Sequence, residues 1–252
     1  MNKLQNIFKD KKNVNIGYIV GGFPNIDYTR KFLLNLKKSP IDILEIGIPY
    51  SDPIADGKII SEASFKASQN NITPDTVFDL LISEKENIHT PLVFLIYYNL
   101  IFAYGIDHFI KKSVEAGITG LVIPDLPYEE AQELIEKLNK NNIAFIPLIS
   151  VTSQNRIPKL VSQGSGFIYA IASLGVTGTK QVSPDRLTEF IHEIKKYTDL
   201  PVAIGFGIKN REDIIKLRNS ADGLIVGTSI VRLTESYTPD EVVPKLEELF
   251  VV

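Results

Sequence analysis

The chain has 252 residues, 44% hydrophobic and 23% charged, with no cysteine and a formal net charge of -3. That is an ordinary globular composition, long enough to bury one large core. The missing cysteines exclude disulfides, thiolate metal sites and thiol nucleophiles, and the missing basic excess argues against a nucleic-acid partner.

The chain opens with MNKLQNIFKDKK, where Leu4, Ile7 and Phe8 fall at helical spacing among polar residues. This spacing predicts a short amphipathic helix and lacks the continuous apolar core of a signal peptide. Runs rich in Ile, Val, Leu and Tyr then recur at 13–20, 41–48, 91–98, 119–124, 144–149, 166–172, 201–206 and 223–227. Each reads as a strand. Between them lie segments with helical spacing, such as 28–37, 106–116, 128–139, 184–197 and 211–217. Asn25 or Asp27, Thr73 before Pro74 and Ser183 before Pro184 are candidate helix caps. The apolar runs are far shorter than the roughly 20 residues of a membrane-spanning helix, so no membrane segment is expected. The cytoplasm is the expected compartment.

Near-continuous apolar strands alternating with helices indicate a parallel sheet covered on both faces. Eight βα units in this length fit an α/β fold, a single (β/α)8 TIM barrel over residues 1–252 with an extra N-terminal helix. An open doubly wound sheet is the alternative. The barrel reading directs attention to strand C-terminal ends, where such folds build their sites.

The second strand, Ile41-Asp42-Ile43-Leu44-Glu45-Ile46-Gly47-Ile48, carries a glutamate among apolar residues. Alternation puts Ile43, Glu45 and Gly47 on one face, and the space beside Gly47 favours an inward carboxyl. Burial among apolar groups disfavours its charge and raises its pKa, the condition for a general acid or base near neutrality. Asp52 and Asp56 follow within twelve residues of Glu45. A lone Asp-Gly such as Asp56-Gly57 is more often a turn, but three acids at one strand end point to a site.

Tyr169 lies mid-strand and is either a core residue or part of that site. Gly175-Val176-Thr177-Gly178-Thr179 is small and polar, suited to a loop whose amides approach an anion. Gly205-Phe206-Gly207 and Gly227-Thr228-Ser229 end the last two strands, where barrels often hold phosphate on loop amides and a helix N-terminus. His89, His108 and His192 fall away from strand C-terminal ends, and no lysine sits inside a strand. What remains is carboxylate acid/base chemistry on a phosphorylated small molecule, without a metal.

Over nearly its whole length the sequence resembles the tryptophan synthase α subunit family. The resemblance runs through Gly22-Phe23-Pro24, LEIGIPYSDPIADG at 44–57, Ile96-Tyr97-Tyr98-Asn99, Pro124-Asp125-Leu126-Pro127, Gly175-Val176-Thr177-Gly178, Gly205-Phe206-Gly207 and Gly227-Thr228. It implies retro-aldol cleavage of indole-3-glycerol phosphate to indole and glyceraldehyde 3-phosphate. By resemblance Glu45 is the acid/base at the reacting carbon, Asp56 accepts the indole N–H, and Tyr169 supports the substrate. Gly178, Gly207, Gly227 and Thr228 hold the phosphate, while Tyr18, Leu95 and Phe206 wall the indole. Thr177 closes a loop over the site, and Asp52 and Pro53 meet a β subunit. That subunit holds pyridoxal phosphate in an αββα heterotetramer, so this chain is expected to need no cofactor. Tyr18 stands where the family carries phenylalanine, Thr228 where it commonly carries serine, and Ala172-Ser173-Leu174 where arginine is frequent. Two other expectations stay open: a non-catalytic subunit that binds a phosphate ligand and regulates a partner, and another phosphate-binding barrel enzyme.

Overall fold

The computed structural model describes residues 3–171, 173–174, 180–181, 184–205 and 207–251. Its main sheet contains β1 (Val14–Val20), β2 (Ile43–Gly47), β3 (Leu92–Leu95), β4 (Ile118–Val122), β5 (Ala144–Phe145), β6 (Leu148–Ser150) and β7 (Ile168–Ile171). After a short antiparallel pair, β8 (Ser173–Leu174) and β9 (Lys180–Gln181), it is completed by β10 (Val202–Gly205) and β11 (Gly223–Val226). All main-sheet pairings are parallel, in the order β5-β4-β3-β2-β1-β11-β10-β7-β6.

The two end strands of that order are halves of one barrel strand. The expected single strand at 144–149 is divided at Pro147, which has no N–H to give the ladder. Ile146 N still donates to Leu121 O on one side, and Pro147 O accepts from Tyr169 N on the other. The ring therefore closes through the chain itself. Register lines connect Tyr18, Glu45, Val93, Gly120 and Ala144. Four residues farther along the same strand, Leu148 starts the line through Tyr169, Ala203 and Gly223 to Val14, four residues before Tyr18. The two offsets make a stagger of eight residues, the value for an eight-stranded barrel of this class.

The helices that surround the ring follow the strands. They are α2 (Ile26–Asn35), α3 (Lys58–Gln69), α4 (Pro74–Ser83), α5 (Tyr98–Tyr104), α6 (Ile106–Glu115), α7 (Gln132–Lys140), α8 (Ile157–Ser162), α9 (Pro184–Lys195), α10 (Arg211–Leu217), α11 (Thr228–Ser236) and α12 (Pro239–Phe250). The caps act as their residue types suggest: Asn25 accepts from Tyr28 N, and Thr73 accepts from Thr76 N with Pro74 at the first helical position. Asp27 lies in the first turn of α2 instead of capping it, and Ser183 lies outside the described residues. The third strand is shorter than the run at 91–98 suggests: β3 ends at Leu95, and Asp125 accepts from Tyr98 N as α5 begins.

The N-terminal segment forms α1 (Lys3–Asp10), and Leu4 is fully buried. Leu4 Cδ1 would lie 3.0 Å from a Cβ on Gly120 and 3.2 Å from one on Gly166, and Phe8 Cε1 3.0 Å from one on Gly223. Glycines at the lower rim thus admit the apolar face of α1, which stops the N-terminal end of the barrel. No described helix is long and apolar enough to cross a membrane.

Candidate active site

The opposite end of the barrel holds a cavity of about 260 Å³, lined among others by Tyr18, Asp56, Leu95, Tyr169, Gly207, Gly227 and Thr228. Residues from β1, β3, β7 and the loops after β2, β10 and β11 therefore converge. Behind this lining lies Glu45, 2% exposed, with no hydrogen-bond partner for either carboxylate oxygen among the described residues. Burial first, and the nearby Asp56 carboxyl second, push its pKa up to about 8. It is a protonated acid at neutral pH.

Glycines on β2 itself and on β10 make room for two tyrosine side chains that act electrostatically with this carboxyl. Tyr18 is Glu45's partner across the β1–β2 register, and its hydroxyl lies 2.1 Å from where a Cβ on Gly47 would stand. The Tyr169 ring lies equally close over Gly205, 2.4 Å from a Cβ there. Any side chain at either glycine would displace a tyrosine. The space at Gly47 thus seats Tyr18.

Asp56 is positioned by a chain of contacts that begins on α3. Ser64 Oγ accepts from Tyr50 N and donates to Tyr50 O, pinning the start of the loop. The Tyr50 ring stacks on Tyr97 at 4.9 Å between centroids. Tyr97 donates its hydroxyl to Asp56 at 3.1 Å while accepting from Ala55 N at 3.0 Å. Burial raises the Asp56 pKa to about 6, with the Tyr97 hydrogen bond pulling the other way. The two carboxyls therefore differ in protonation between about pH 6 and 8. Such a divided pair can supply an acid and an acceptor together. Asp56-Gly57 is no simple turn, since its carboxyl faces the cavity.

At the far side of the cavity Ser229, next to Thr228, donates to Lys209 O at 2.7 Å and Ile208 O at 3.3 Å. This ties the loop after β10 to the start of α11, so that Gly207, Gly227 and Thr228 face one space. Gly207 has φ +92°, a conformation that side-chain-bearing residues rarely adopt. Amides at the start of a helix attract an anion through unpaired N–H groups and the helix dipole. Lys58, Lys209 and Arg232 also line the cavity. Sequence reasoning had not assigned these cations or Tyr97 to the site. Arg232 lies four residues after Thr228, one turn along the same helix face, a spacing that could have suggested it.

Among the remaining expected residues, Asp52 is exposed and Pro53 half-buried on the loop outside the cavity, beside Ile54 at 66% exposure. Thr177, Gly178 and Phe206 lie outside the described residues. His89, His108 and His192 are all exposed, as their positions suggested. Among the described residues no group of three or more His, Cys, Asp or Glu side chains is arranged to hold a metal.

Comparison with known proteins gives one answer. A family model described as tryptophan synthase alpha chain matches residues 4–250. The chain is 46% identical over 241 residues to the tryptophan synthase alpha chain of Campylobacter jejuni subsp. doylei, covering 95% of this chain and 96% of that one. It is 40% identical to that of Alkaliphilus metalliredigens, covering 95% and 90%. Among solved structures, tryptophan synthase subunit alpha from Campylobacter jejuni superposes with a TM-score of 0.86 at 45% identity, covering 95% and 96%. A chain of the tryptophan synthase complex from Pyrococcus furiosus does so at 0.86 and 28% identity, covering 96% and 99%.

Proposed function

Because the chain belongs to the tryptophan synthase alpha chain family, we propose that the cavity at the C-terminal end of its barrel carries that family's reaction through Glu45 and Asp56. The chain is a lyase of tryptophan biosynthesis that cleaves indole-3-glycerol phosphate to indole and glyceraldehyde 3-phosphate. The observation that carries the assignment of the site is the buried, unpartnered Glu45 with its pKa near 8, set close to Asp56.

Glu45 starts protonated and gives its proton to the indole carbon that bears the glycerol chain. Asp56, ionised and held by Tyr97, accepts the indole N–H and stabilises the cation that forms in the ring. The carbon–carbon bond then breaks and its electron pair returns to the ring. The hydroxyl on the adjacent glycerol carbon becomes the aldehyde as its proton passes to the Glu45 carboxylate, which restores the acid. Tyr169 packs beside the reacting atoms. The phosphate lies on the amides of Gly207, Gly227 and Thr228 together with Gly178, and Lys58, Lys209 and Arg232 complement its charge. Tyr18, Leu95 and Phe206 wall the indole.

The chain acts as one barrel domain in the cytoplasm, in an αββα complex with a β subunit. The exposed Asp52 and the half-buried Pro53 contribute to the contact, and Thr177 closes over Asp56 once substrate is bound. Pyridoxal phosphate belongs to that partner, and the present reaction proceeds on carboxyl groups alone.

Mixing the purified chain with indole-3-glycerol phosphate should release indole and glyceraldehyde 3-phosphate in equal amounts. Binding without either product would overturn the reading in favour of a regulatory barrel. Turnover of another sugar phosphate in its place would overturn it in favour of a different enzyme.

A further inference from the structure

Tyr18 spans the cavity from one functional end to the other. Its Cβ and Cδ1 would lie 3.6 and 3.4 Å from a Cβ on Gly227, at the phosphate end, while its hydroxyl lies over Gly47 on the strand that carries Glu45. The residue is 4% exposed and lines the cavity. Among the described residues its hydroxyl has no hydrogen-bond partner, although Glu45, Asp56, Tyr97 and Tyr169 all act on it electrostatically. A phenylalanine would wall an indole as well, so the wall does not account for the hydroxyl.

We propose that the Tyr18 hydroxyl donates a hydrogen bond to the substrate oxygen that becomes the aldehyde oxygen. This rests on the reading of the site given above. With the phosphate beside Gly227 and the reacting carbon at Glu45, the glycerol chain runs along the Tyr18 ring. The oxygen next to the breaking bond then meets its tip. As that hydroxyl gives its proton to Glu45, negative charge develops on the oxygen, and a donor fixed in a buried site stabilises it. Burial and the two carboxyls hold the Tyr18 pKa well above that of an ordinary tyrosine, so the donor keeps its proton. The tyrosine is neither acid nor base here, and the proton inventory is unchanged.

The test compares Tyr18→Phe with the unaltered chain on two ligands: indole-3-glycerol phosphate, and the analogue whose glycerol hydroxyls are replaced by hydrogen, indole-3-propanol phosphate. The variant should lose about 100-fold in kcat yet bind the analogue within about twofold of the unaltered chain, because the analogue lacks the partner oxygen. Cleavage by the variant at the unaltered rate would overturn the proposal. So would a matching loss of analogue affinity, which would make Tyr18 a packing residue. If the unaltered chain itself released no indole, the reading of the site would fail instead.

Discussion

Two unpaired carboxylate oxygens inside a barrel destabilise the fold that holds them whenever they are charged, and Glu45 is placed so. Its pKa near 8 in the folded chain, against an ordinary 4.5, means that the folded state holds a proton the unfolded state gives up. Stability is therefore complete below about pH 4.5, falls as pH rises toward 8, and changes no further above it through this group. Glu45→Gln cannot titrate, so its melting temperature should exceed that of the unaltered chain by several degrees at pH 9 and match it near pH 5. Equal melting curves at both values would contradict the buried acid. Activity should follow a bell, falling below about pH 6 as Asp56 gains a proton and above about 8 as Glu45 loses its own. Tyr97→Phe removes the hydrogen bond that holds the Asp56 pKa down, so the acidic limb should move to higher pH while the basic limb stays. A limb that did not move would separate Tyr97 from the site. Glu45 was legible in the sequence because a charge in an apolar strand is conspicuous. Tyr97 was not, because no local pattern indicates that a hydroxyl meets an aspartate 41 residues away.

At the scale of elements, apolar runs and their spacing were enough to read the number and order of barrel strands. The boundaries moved where hydrogen bonding overrides hydrophobicity. Tyr98 is as apolar in context as Leu95, yet Asp125 caps its N–H and turns the chain into α5. Pro147 reads as one more residue in an apolar run and divides that strand. The direction in which Tyr18 leans was also hidden, since it depends on cross-strand register with Glu45 and on the gap at Gly47. The N-terminal helix was legible from Leu4, Ile7 and Phe8; its function as a stopper was not, because its receptors are glycines at distant positions. Leu4→Ala should cost about 2–5 kcal/mol in unfolding free energy, the range for emptying a fully buried leucine site. The site lies at the opposite end of the barrel, so KM for indole-3-glycerol phosphate should stay within about twofold. A large rise in KM with no loss of stability would show that α1 acts on the site and not on the core.

For the whole molecule, the closed ring matters because it separates stability from chemistry. The lower end is packed by α1, while the upper end keeps a cavity with an acid behind it and cations around it. A substrate that fills this space removes the water around the Glu45 carboxyl. Indole leaves as a small apolar product, which suits transfer to a bound β subunit. The loop at Asp52 and Pro53 is continuous with Asp56, so the partner contact and the indole N–H acceptor proposed above would involve one segment. The measurement that bears most directly on this account is indole release from indole-3-glycerol phosphate, with the β subunit present, by the unaltered chain and by Glu45→Gln. The account predicts release that falls by several orders of magnitude in the variant, although the variant folds and binds indole-3-propanol phosphate normally. Release by Glu45→Gln at the unaltered rate would contradict it.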